Sequence, residues 1–194
     1  MTKKLADMTL EELWTLFPIQ LTAHQDVWAC WYQEELCALQ AVQRAFPAVR
    51  LYHIGSTAVP GIWAKPIVDI LMEAPLEYDL DQVAAHIMAG GYTCMSRDEQ
   101  RISLNKGYTE AGFAERVFHL HLRHSGDCDE LYFRDYLREH PQAAREYERL
   151  KLRLWNVYEH DRDGYTAAKG ELVKKYTAEA KRLYGGRYDS LLSK

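Results

Sequence analysis

Residues 53–71, HIGSTAVPGIWAKPIVDIL, are the most informative stretch of this 194-residue sequence. Residues 50–54, which overlap the start of this stretch, are typical of a short strand. A loop punctuated by Gly, Ser and Pro follows over residues 55–66, and a nearly continuous apolar run extends over residues 67–72. A short apolar run bounded by turn residues favours a strand that is covered on both faces. The stretch therefore predicts two strands joined by a distinctive loop.

The loop carries groups that could bind a phosphate. Gly55 would let a phosphate approach the backbone, and Ser56 and Thr57 supply hydroxyl groups. Lys65 supplies a positive charge. The order of a P-loop, G-x-x-x-x-G-K-[ST], is absent. The alternative is a structural turn stiffened by proline, and both interpretations stay open on composition alone.

Asp69 lies inside the apolar run, where a charged group is costly unless it is paired or bound to a metal. In a strand it shares one face with Leu71 and Glu73. Glu73 would lie about 13 Å away along the strand, too far to share a metal with Asp69. The position that could share one is Leu71, which has no ligand atom. We expect Asp69 to be a site carboxylate, and the alternative is a carboxylate that caps the loop or pairs with Lys65.

A third polar pattern occupies residues 118–123, where apolar and polar residues alternate. In a strand His119, His121 and Arg123 share one face, and the apolar residues between them share the other. Two imidazoles and a guanidinium suit an anion, and the two His residues could instead bind a metal. The alternative is a polar face that is merely solvated.

Helical patterns flank this central region. The spacing of Thr9 and Glu12 is that of a capping box, which predicts a helix start. The whole chain is therefore expected to be one α+β domain over residues 1–194. N-terminal helices would occupy residues 1–47, a small sheet with the site residues 48–125, and C-terminal helices residues 126–194. Helices are predicted over residues 9–18, 22–46, 79–89, 129–139, 141–160 and 163–184, and strands over residues 50–54, 67–72, 101–106 and 116–123.

Composition and charge exclude several classes of protein. The chain has 47% apolar residues, and its 24 Lys and Arg against 28 Asp and Glu give a net charge of -4. This composition excludes disorder, and the charge does not provide the basic field needed for general nucleic-acid binding. No apolar run approaches the roughly 18 residues of a membrane span. The four cysteines form no C-x-x-C pair and no signal peptide is recognisable, so we expect a cytoplasmic protein.

Several segments of the chain form a recognisable combination: His53–Gly61, Ala64–Ile70, Phe118–Arg123, Phe133–Arg138, His140-Pro141 and the helix with Tyr147 and Leu150-Lys151. Taken together, they resemble the GrpB family of uncharacterised bacterial proteins. The resemblance covers roughly residues 9–190 and implies the nucleotidyltransferase fold, a small mixed sheet flanked by N-terminal and C-terminal helices.

The resemblance to the nucleotidyltransferase superfamily also implies a site. It implies a Gly-Ser pair for the triphosphate and three carboxylates that hold two Mg²⁺ ions for attack on a nucleotide phosphorus. Gly55, Ser56 and Asp69 match this pattern. The second carboxylate position is Leu71, and the third falls on His119 or His121. The implied cofactor is Mg²⁺ or Mn²⁺, with Asp69 and His121 as candidate metal ligands.

Three hypotheses follow, each for a site that takes a small ligand. The first is a divergent nucleotidyltransferase acting on a nucleotide or another phosphorylated ligand. The second is a non-catalytic module that binds such a ligand. The third is a metal enzyme with a two-His-one-carboxylate site. The candidate catalytic residues are Asp69, His119 and His121, and the candidate ligand-binding residues are Gly55, Ser56, Thr57, Lys65 and Arg123.

Overall fold

A five-stranded mixed sheet forms the centre of the protein. The computed structural model describes residues 3–188. The strands follow the order β1-β2-β5-β4-β3 across the sheet. β2 and β5 run parallel at the centre, and all other neighbours are antiparallel. The strands are β1 (Arg50–Ile54), β2 (Ile67–Ala74), β3 (Thr93–Arg97), β4 (Arg101–Thr109) and β5 (Gly112–His124).

Helices cover both faces of the sheet and create two hydrophobic cores. One core lies beneath α2, α3 and α4, and the other lies beneath α5, α6 and α7. The α+β class and the mixed sheet flanked by helices are confirmed. The helices are α1 (Leu10–Leu16), α2 (Val27–Ala38), α3 (Gln40–Ala45), α4 (Leu80–Ala89), α5 (Asp129–Glu139), α6 (Pro141–Tyr158) and α7 (Arg162–Tyr184).

The alternation of β2 places a carboxylate on one of these faces. Val68, Ile70 and Met72 enter the core beneath α2, α3 and α4, whereas Leu71 enters the core beneath α5, α6 and α7. Residues two apart in a strand share a face, so Asp69 lies on the same side as Leu71. The apolar run thus serves two cores, with Asp69 as the one charged side chain at its centre.

Two sequence predictions about secondary structure were wrong. The helix predicted over residues 22–46 consists of α2 and α3, and Thr22 instead forms an isolated β-bridge with Ala64. The backbone N–H and C=O of Thr22 both bond to Ala64, at 2.9 Å each, which ties the chain before α2 to the loop before β2. The strand β3 was not predicted, because it is a largely exposed edge strand with a bulge and no apolar alternation.

The N-terminal helix begins as predicted. Glu12 donates its backbone N–H to Thr9 Oγ1 at 3.2 Å, and the Glu12 carboxylate accepts the backbone N–H of Thr9 at 2.7 Å. α1 has no fully buried residue. Within residues 3–188, no helix has both the length and the apolar character needed to cross a membrane. Residues 1–2 and 189–194, at the ends of the predicted terminal helical regions, lie outside the described residues.

Candidate functional site

A cavity of about 170 Å³ lies where the loop before β2 meets the C-terminal helices. The loop, residues 55–66, forms one wall, β2 forms the floor, and α6 and α7 close the opposite side. The sequence-predicted residues of the loop and Asp69 are thereby brought together. The cavity is lined by Leu21, Gly55, Ser56, Thr57, Lys65, Ile67, Asp69, Tyr147, Lys151, Tyr165 and Lys169.

Side chains of α5 and α6 hold this loop in place. Arg138 of α5 donates through Nε to the carbonyl oxygen of Ala58 at 2.8 Å. Glu148 of α6 accepts the backbone N–H of Trp63 at 2.7 Å. Buried backbone groups outside the strand pairings need such contacts. The helices therefore help to fix the shape of the loop.

Gly55 is required where the loop leaves β1. Its backbone has φ 71° and ψ -170°, a conformation that is essentially restricted to glycine. A β-carbon at this position would come within 3.0 Å of both Cβ and Cγ of Asp69 and closer still to Oδ2. The absent side chain thus lets the loop backbone lie directly against the carboxylate.

The two hydroxyl groups of the loop have different roles. Thr57 is buried, and its hydroxyl donates to the carbonyl oxygen of Ile67 at 3.1 Å, while His53 Nε2 lies 3.0 Å from Thr57 Oγ1. Thr57 therefore ties the loop to β2, and its proton is already used. Ser56 Oγ accepts a hydrogen bond from Lys151 Nζ at 3.1 Å. The Ser56 hydroxyl also hydrogen-bonds the Tyr147 side chain, so Ser56 links Lys151 and Tyr147 of α6 to the loop.

Asp69 contacts both histidines of β5. His119 Nδ1 lies 3.3 Å and His121 Nε2 3.8 Å from the same oxygen, Asp69 Oδ1. The pairing of β2 with β5 sets His119 opposite Asp69 and His121 opposite Leu71. Burial alone would raise the pKa of Asp69, but interactions with the two imidazoles outweigh it and hold this pKa well below its usual range. Asp69 is therefore an ionised carboxylate.

A chain of polar contacts extends from His119 to α7. Arg162 donates to the Tyr108 hydroxyl oxygen at 2.9 Å, and that hydroxyl lies 2.8 Å from His119 Nε2. Burial lowers the pKa of His119, which favours the neutral imidazole. Arg162 can only donate, so the simplest arrangement has Tyr108 donating to Nε2. His119 then carries its proton on Nδ1, which faces Asp69.

Three lysines surround the cavity without a carboxylate partner in the described part of the chain. They are Lys65 of the loop, Lys151 of α6 and Lys169 of α7; the lysine ion pairs of residues 3–188 belong to other lysines. Burial, together with neighbouring positive charges, lowers the pKa of Lys65 to about 8 and the pKa of Lys151 and of Lys169 to about 7. Each of these groups would be stabilised by an anion.

The two helical lysines each follow a tyrosine by four residues. Lys151 Nζ lies 4.8 Å from the ring centroid of Tyr147, and Lys169 Nζ lies 4.3 Å from that of Tyr165. Within residues 3–188, the buried Tyr165 hydroxyl has no hydrogen-bond partner. Burial raises the pKa of Tyr165, so this hydroxyl is a neutral donor. A buried, unsatisfied donor beside two ammonium groups again favours an anionic ligand.

Sequence reasoning missed these four residues as members of the site. One signal was present: Lys151 falls on the same helical stripe as the buried Ala143, Ala144 and Tyr147. A lysine on a core-facing stripe needs a partner or a function. The repeated Tyr-x-x-x-Lys spacing was the second signal.

Residues 18–179 match the family model described as GrpB protein. The chain belongs to the GrpB family. A UPF0157 protein of Pseudomonas aeruginosa is 36% identical over 77% of this chain and 64% of its own length. The UPF0157 protein YqkA of Bacillus subtilis is 32% identical over 96% of this chain and 55% of its own length. The matched region therefore spans less than two thirds of either relative.

Solved structures show the same fold. The crystal structure of the conserved protein GrpB from Enterococcus faecalis has a TM-score of 0.72 at 29% identity, covering 85% of this chain and 99% of that chain. The MgGTP-bound structure of the Cid1 poly(U) polymerase has a TM-score of 0.52 at 11% identity, covering 70% of this chain and 44% of that chain. At that identity the likeness shows the fold alone. The nucleotidyltransferase fold implied by the sequence motifs is confirmed.

The side chains of this GrpB chain do not fit the two-metal centre that the fold implies. Leu71, at the second carboxylate position, is fully buried in a hydrophobic core. The residues opposite on β5 are His119 and His121, and both contact the one oxygen Oδ1 of Asp69. Among residues 3–188, no group of three or more His, Cys, Asp or Glu side chains is placed to hold a metal ion. One carboxylate paired with imidazoles stands where three carboxylates are implied.

Arg123 lies on the predicted face of β5 in the GrpB chain but does not line the cavity. Its guanidinium pairs with Glu130 at 2.7 Å and with Asp127 at 3.5 Å. In the strand pairing of β2 with β5, Arg123 lies opposite Glu73, which follows Asp69 by four residues along β2. The structure thus gives Arg123 two carboxylate partners at the far end of the strand, and its role as a ligand-binding residue stays a prediction.

Proposed function

We propose that this GrpB-family chain binds a phosphorylated small molecule, such as a nucleotide, with the phosphate groups in the cavity between the loop and helices α6 and α7. The observation that carries the proposal is the convergence of Lys65, Lys151 and Lys169 on one cavity without carboxylate partners in the described part of the chain. Three lysine side chains face the single carboxylate of Asp69. A phosphate would stabilise the charged forms of these lysines and accept charge-assisted hydrogen bonds from them.

Individual groups have distinct parts in this proposal. The three lysines supply charge, and the Tyr165 hydroxyl, which has no hydrogen-bond partner within residues 3–188, supplies a neutral donor. Gly55 and Ser56 line the cavity at the start of the loop. Asp69 repels a phosphate placed directly against it and so orients the anion toward the lysines.

The cavity volume limits what enters it. Sites that enclose a whole drug-sized ligand measure about 300–1,000 Å³, and this cavity measures about 170 Å³. The cavity therefore suits phosphate groups, with the remainder of the ligand lying outside. Because the side chains do not fit a two-metal centre, we propose binding as the function, and nucleotidyl transfer is the competing hypothesis.

A thermal-shift and calorimetric titration tests this proposal. Purified protein is titrated with sulfate, inorganic triphosphate and each nucleoside triphosphate, with and without Mg²⁺ or Mn²⁺. We expect stabilisation that needs no metal, by about 2.7 kcal/mol at one hundred times the dissociation constant. Lys169→Met should weaken it, and Lys175→Met, on the same helix but outside the cavity, should not.

Three results would contradict the proposal. Stabilisation only with metal, together with transfer of a labelled α-phosphate to an acceptor, would establish a divergent nucleotidyltransferase. Stabilisation by metal alone, lost in Asp69→Asn, would establish the site of Asp69, His119 and His121 as a metal centre. No stabilisation by any anion would refute phosphate binding.

A further inference from the structure

A second and larger cavity lies at the other end of the sheet. It measures about 530 Å³, within the range of about 300–1,000 Å³ that is typical of small-molecule sites. It opens between α1 on one side and strands β3 and β4 on the other. Its apolar wall includes Leu10, Leu13, Trp14, Phe17, Cys94 and Met95. None of these residues lines the phosphate cavity.

The wall leaves large apolar side chains in contact with water. Leu10 is 55% exposed and Met95 is 57% exposed, and both line the cavity. α1 has no fully buried residue although it carries four large apolar side chains in seven positions. Exposed apolar surface that surrounds a concave site indicates a ligand or partner that covers it.

A positively charged side chain lies over aromatic rings at one end of this cavity. Phe17, Tyr108 and Phe113 form an aromatic cluster with ring centroids 4.8–5.2 Å apart. The Arg162 guanidinium lies 5.6 Å from the Tyr108 centroid and 5.9 Å from that of Phe113. A cation held over aromatic rings at the end of an apolar cavity offers both contacts that an amphiphilic anion needs.

Arg162 is the cation of this cavity whose charge is not compensated. The other cation in the wall, Lys106, pairs with Glu35 at 2.8 Å. Arg162 donates to the neutral hydroxyl of Tyr108, and no carboxylate in the described part of the chain pairs with it. A guanidinium binds a carboxylate or sulfonate through two parallel hydrogen bonds. Arg162 also borders a small gap beside Lys65, so it lies between the two cavities.

We infer that this cavity is a second binding site, for a soluble anionic amphiphile: a small molecule with an apolar chain or ring and one carboxylate or sulfonate group. The apolar part contacts α1, β3 and the aromatic cluster. The anionic group binds Arg162. The wall of this site includes neither Lys151 nor Lys169, whereas Arg162 lies between the two cavities.

The test uses 8-anilinonaphthalene-1-sulfonate, an aromatic sulfonate that fluoresces in apolar surroundings, with decanoate and decanol as competitors. We expect one saturable site from which decanoate displaces the dye at least tenfold more effectively than decanol does. Leu10→Glu and Met95→Glu should each weaken dye binding at least tenfold, because they add negative charge at exposed positions of the wall. Leu76→Glu is the control, since Leu76 is 77% exposed and lies outside the cavity.

Arg162→Met separates the two contacts. Arg162→Met should remove the preference for decanoate over decanol and leave decanol binding unchanged. A parallel titration with sulfate measures anion binding in the cavity lined by Lys65, Lys151 and Lys169. Dye binding that survives Leu10→Glu and Met95→Glu would overturn the location of the site. Equal competition by decanol and decanoate would overturn the anionic ligand class. Binding to phosphatidylglycerol vesicles without binding of monomeric decanoate would overturn a soluble ligand.

Discussion

The backbone of Gly55 lies directly against the carboxylate of Asp69, at the point where the loop leaves β1. A β-carbon on Gly55 would come within 3.0 Å of Asp69 Cβ and Cγ. The carboxylate thus occupies the space of the missing side chain. Its other oxygen, Oδ1, faces His119 and His121. The loop and β5 therefore fix the orientation of Asp69 from opposite sides.

Gly55→Ala should destabilise the protein more than Gly61→Ala. Both glycines have a positive φ, 71° and 76°, but a β-carbon on Gly61 has nothing within 4 Å. We expect Gly61→Ala to cost about 1 kcal/mol and Gly55→Ala about 2–3 kcal/mol more. Chemical denaturation measures both. Equal costs would show that Asp69 does not restrict Gly55, and Gly55→Ala combined with Asp69→Ala should recover the steric part.

Lys169→Met should weaken anion binding without destabilising the free protein. Loss of one charge-assisted hydrogen bond, worth about 1.5–3 kcal/mol, predicts at least about a tenfold increase in the dissociation constant for sulfate. The free protein should be as stable as before or more stable, because a crowded ammonium group is removed. Lys175→Met is the matched control, since Lys175 lies on the same helix and 5.0 Å from the Tyr176 ring. Equal sulfate affinities would contradict the prediction.

Anion binding should weaken as the pH rises from 6 to 9. The pKa of Lys65 is lowered to about 8 and that of Lys151 and Lys169 to about 7, so the groups lose their charge across this range. Sulfate is the suitable ligand because its own charge stays constant there. The stability of the free protein should depend on pH in the opposite direction. The unfolded chain binds more protons than the folded chain between about pH 7 and 10, so these lysines make stability increase with pH.

Calorimetry at each pH, with and without sulfate, measures both trends. Sulfate affinity that does not change between pH 6 and 9 would mean that the lysines keep their charge throughout. The variant Lys169→Met should show a shallower dependence on pH than the original chain, because one of the three titrating groups is gone.

The His119 imidazole should be neutral and carry its proton on Nδ1. Tyr108 lies 2.8 Å from Nε2 and, because Arg162 donates to its oxygen, has its own proton available for that nitrogen. Long-range ¹H–¹⁵N spectra distinguish the two tautomers. In Tyr108→Phe the pKa of His119 should rise, since Nε2 loses its donor. An Nε2–H tautomer in the original chain would show that Tyr108 does not donate to His119.

Arg123→Met should affect stability and leave anion binding unchanged. Arg123 is buried and pairs with Glu130 at 2.7 Å. We expect a loss of about 1–3 kcal/mol in the free energy of unfolding, typical of a broken buried pair. Sulfate affinity should match that of the original chain. A tenfold loss of affinity would return Arg123 to the ligand site.

The part of the site that lies within one stretch of sequence could be predicted. Asp69 stood out because a charge inside an apolar run is costly, and Gly55 and Ser56 stood out through the loop. The alternation of residues 118–123 indicated which face of its strand carries His119. The pairing of β5 with β2 then brings His119 beside Asp69. Each of these inferences needed only local periodicity.

The part contributed by the C-terminal helices could not be predicted in the same way. Lys151 and Lys169 are separated from Lys65 by 86 and 104 positions in the sequence, and helical periodicity does not say which neighbour a stripe contacts. Arg123 shows the same limit, since alternation indicated its face and not its partners. The strand β3 was not predicted because an exposed edge strand carries no apolar pattern.

The positions of the three cavity lysines along the chain have a consequence for synthesis. Lys65 and Asp69 are made early, Lys151 much later, and Tyr165 and Lys169 later still. A chain emerging from the ribosome therefore contains the loop, with Lys65, and the carboxylate long before it contains the other two lysines that would attract an anion. The cavity is complete only when α7 has been made and has docked, so ligand binding reports that assembly of this region has finished.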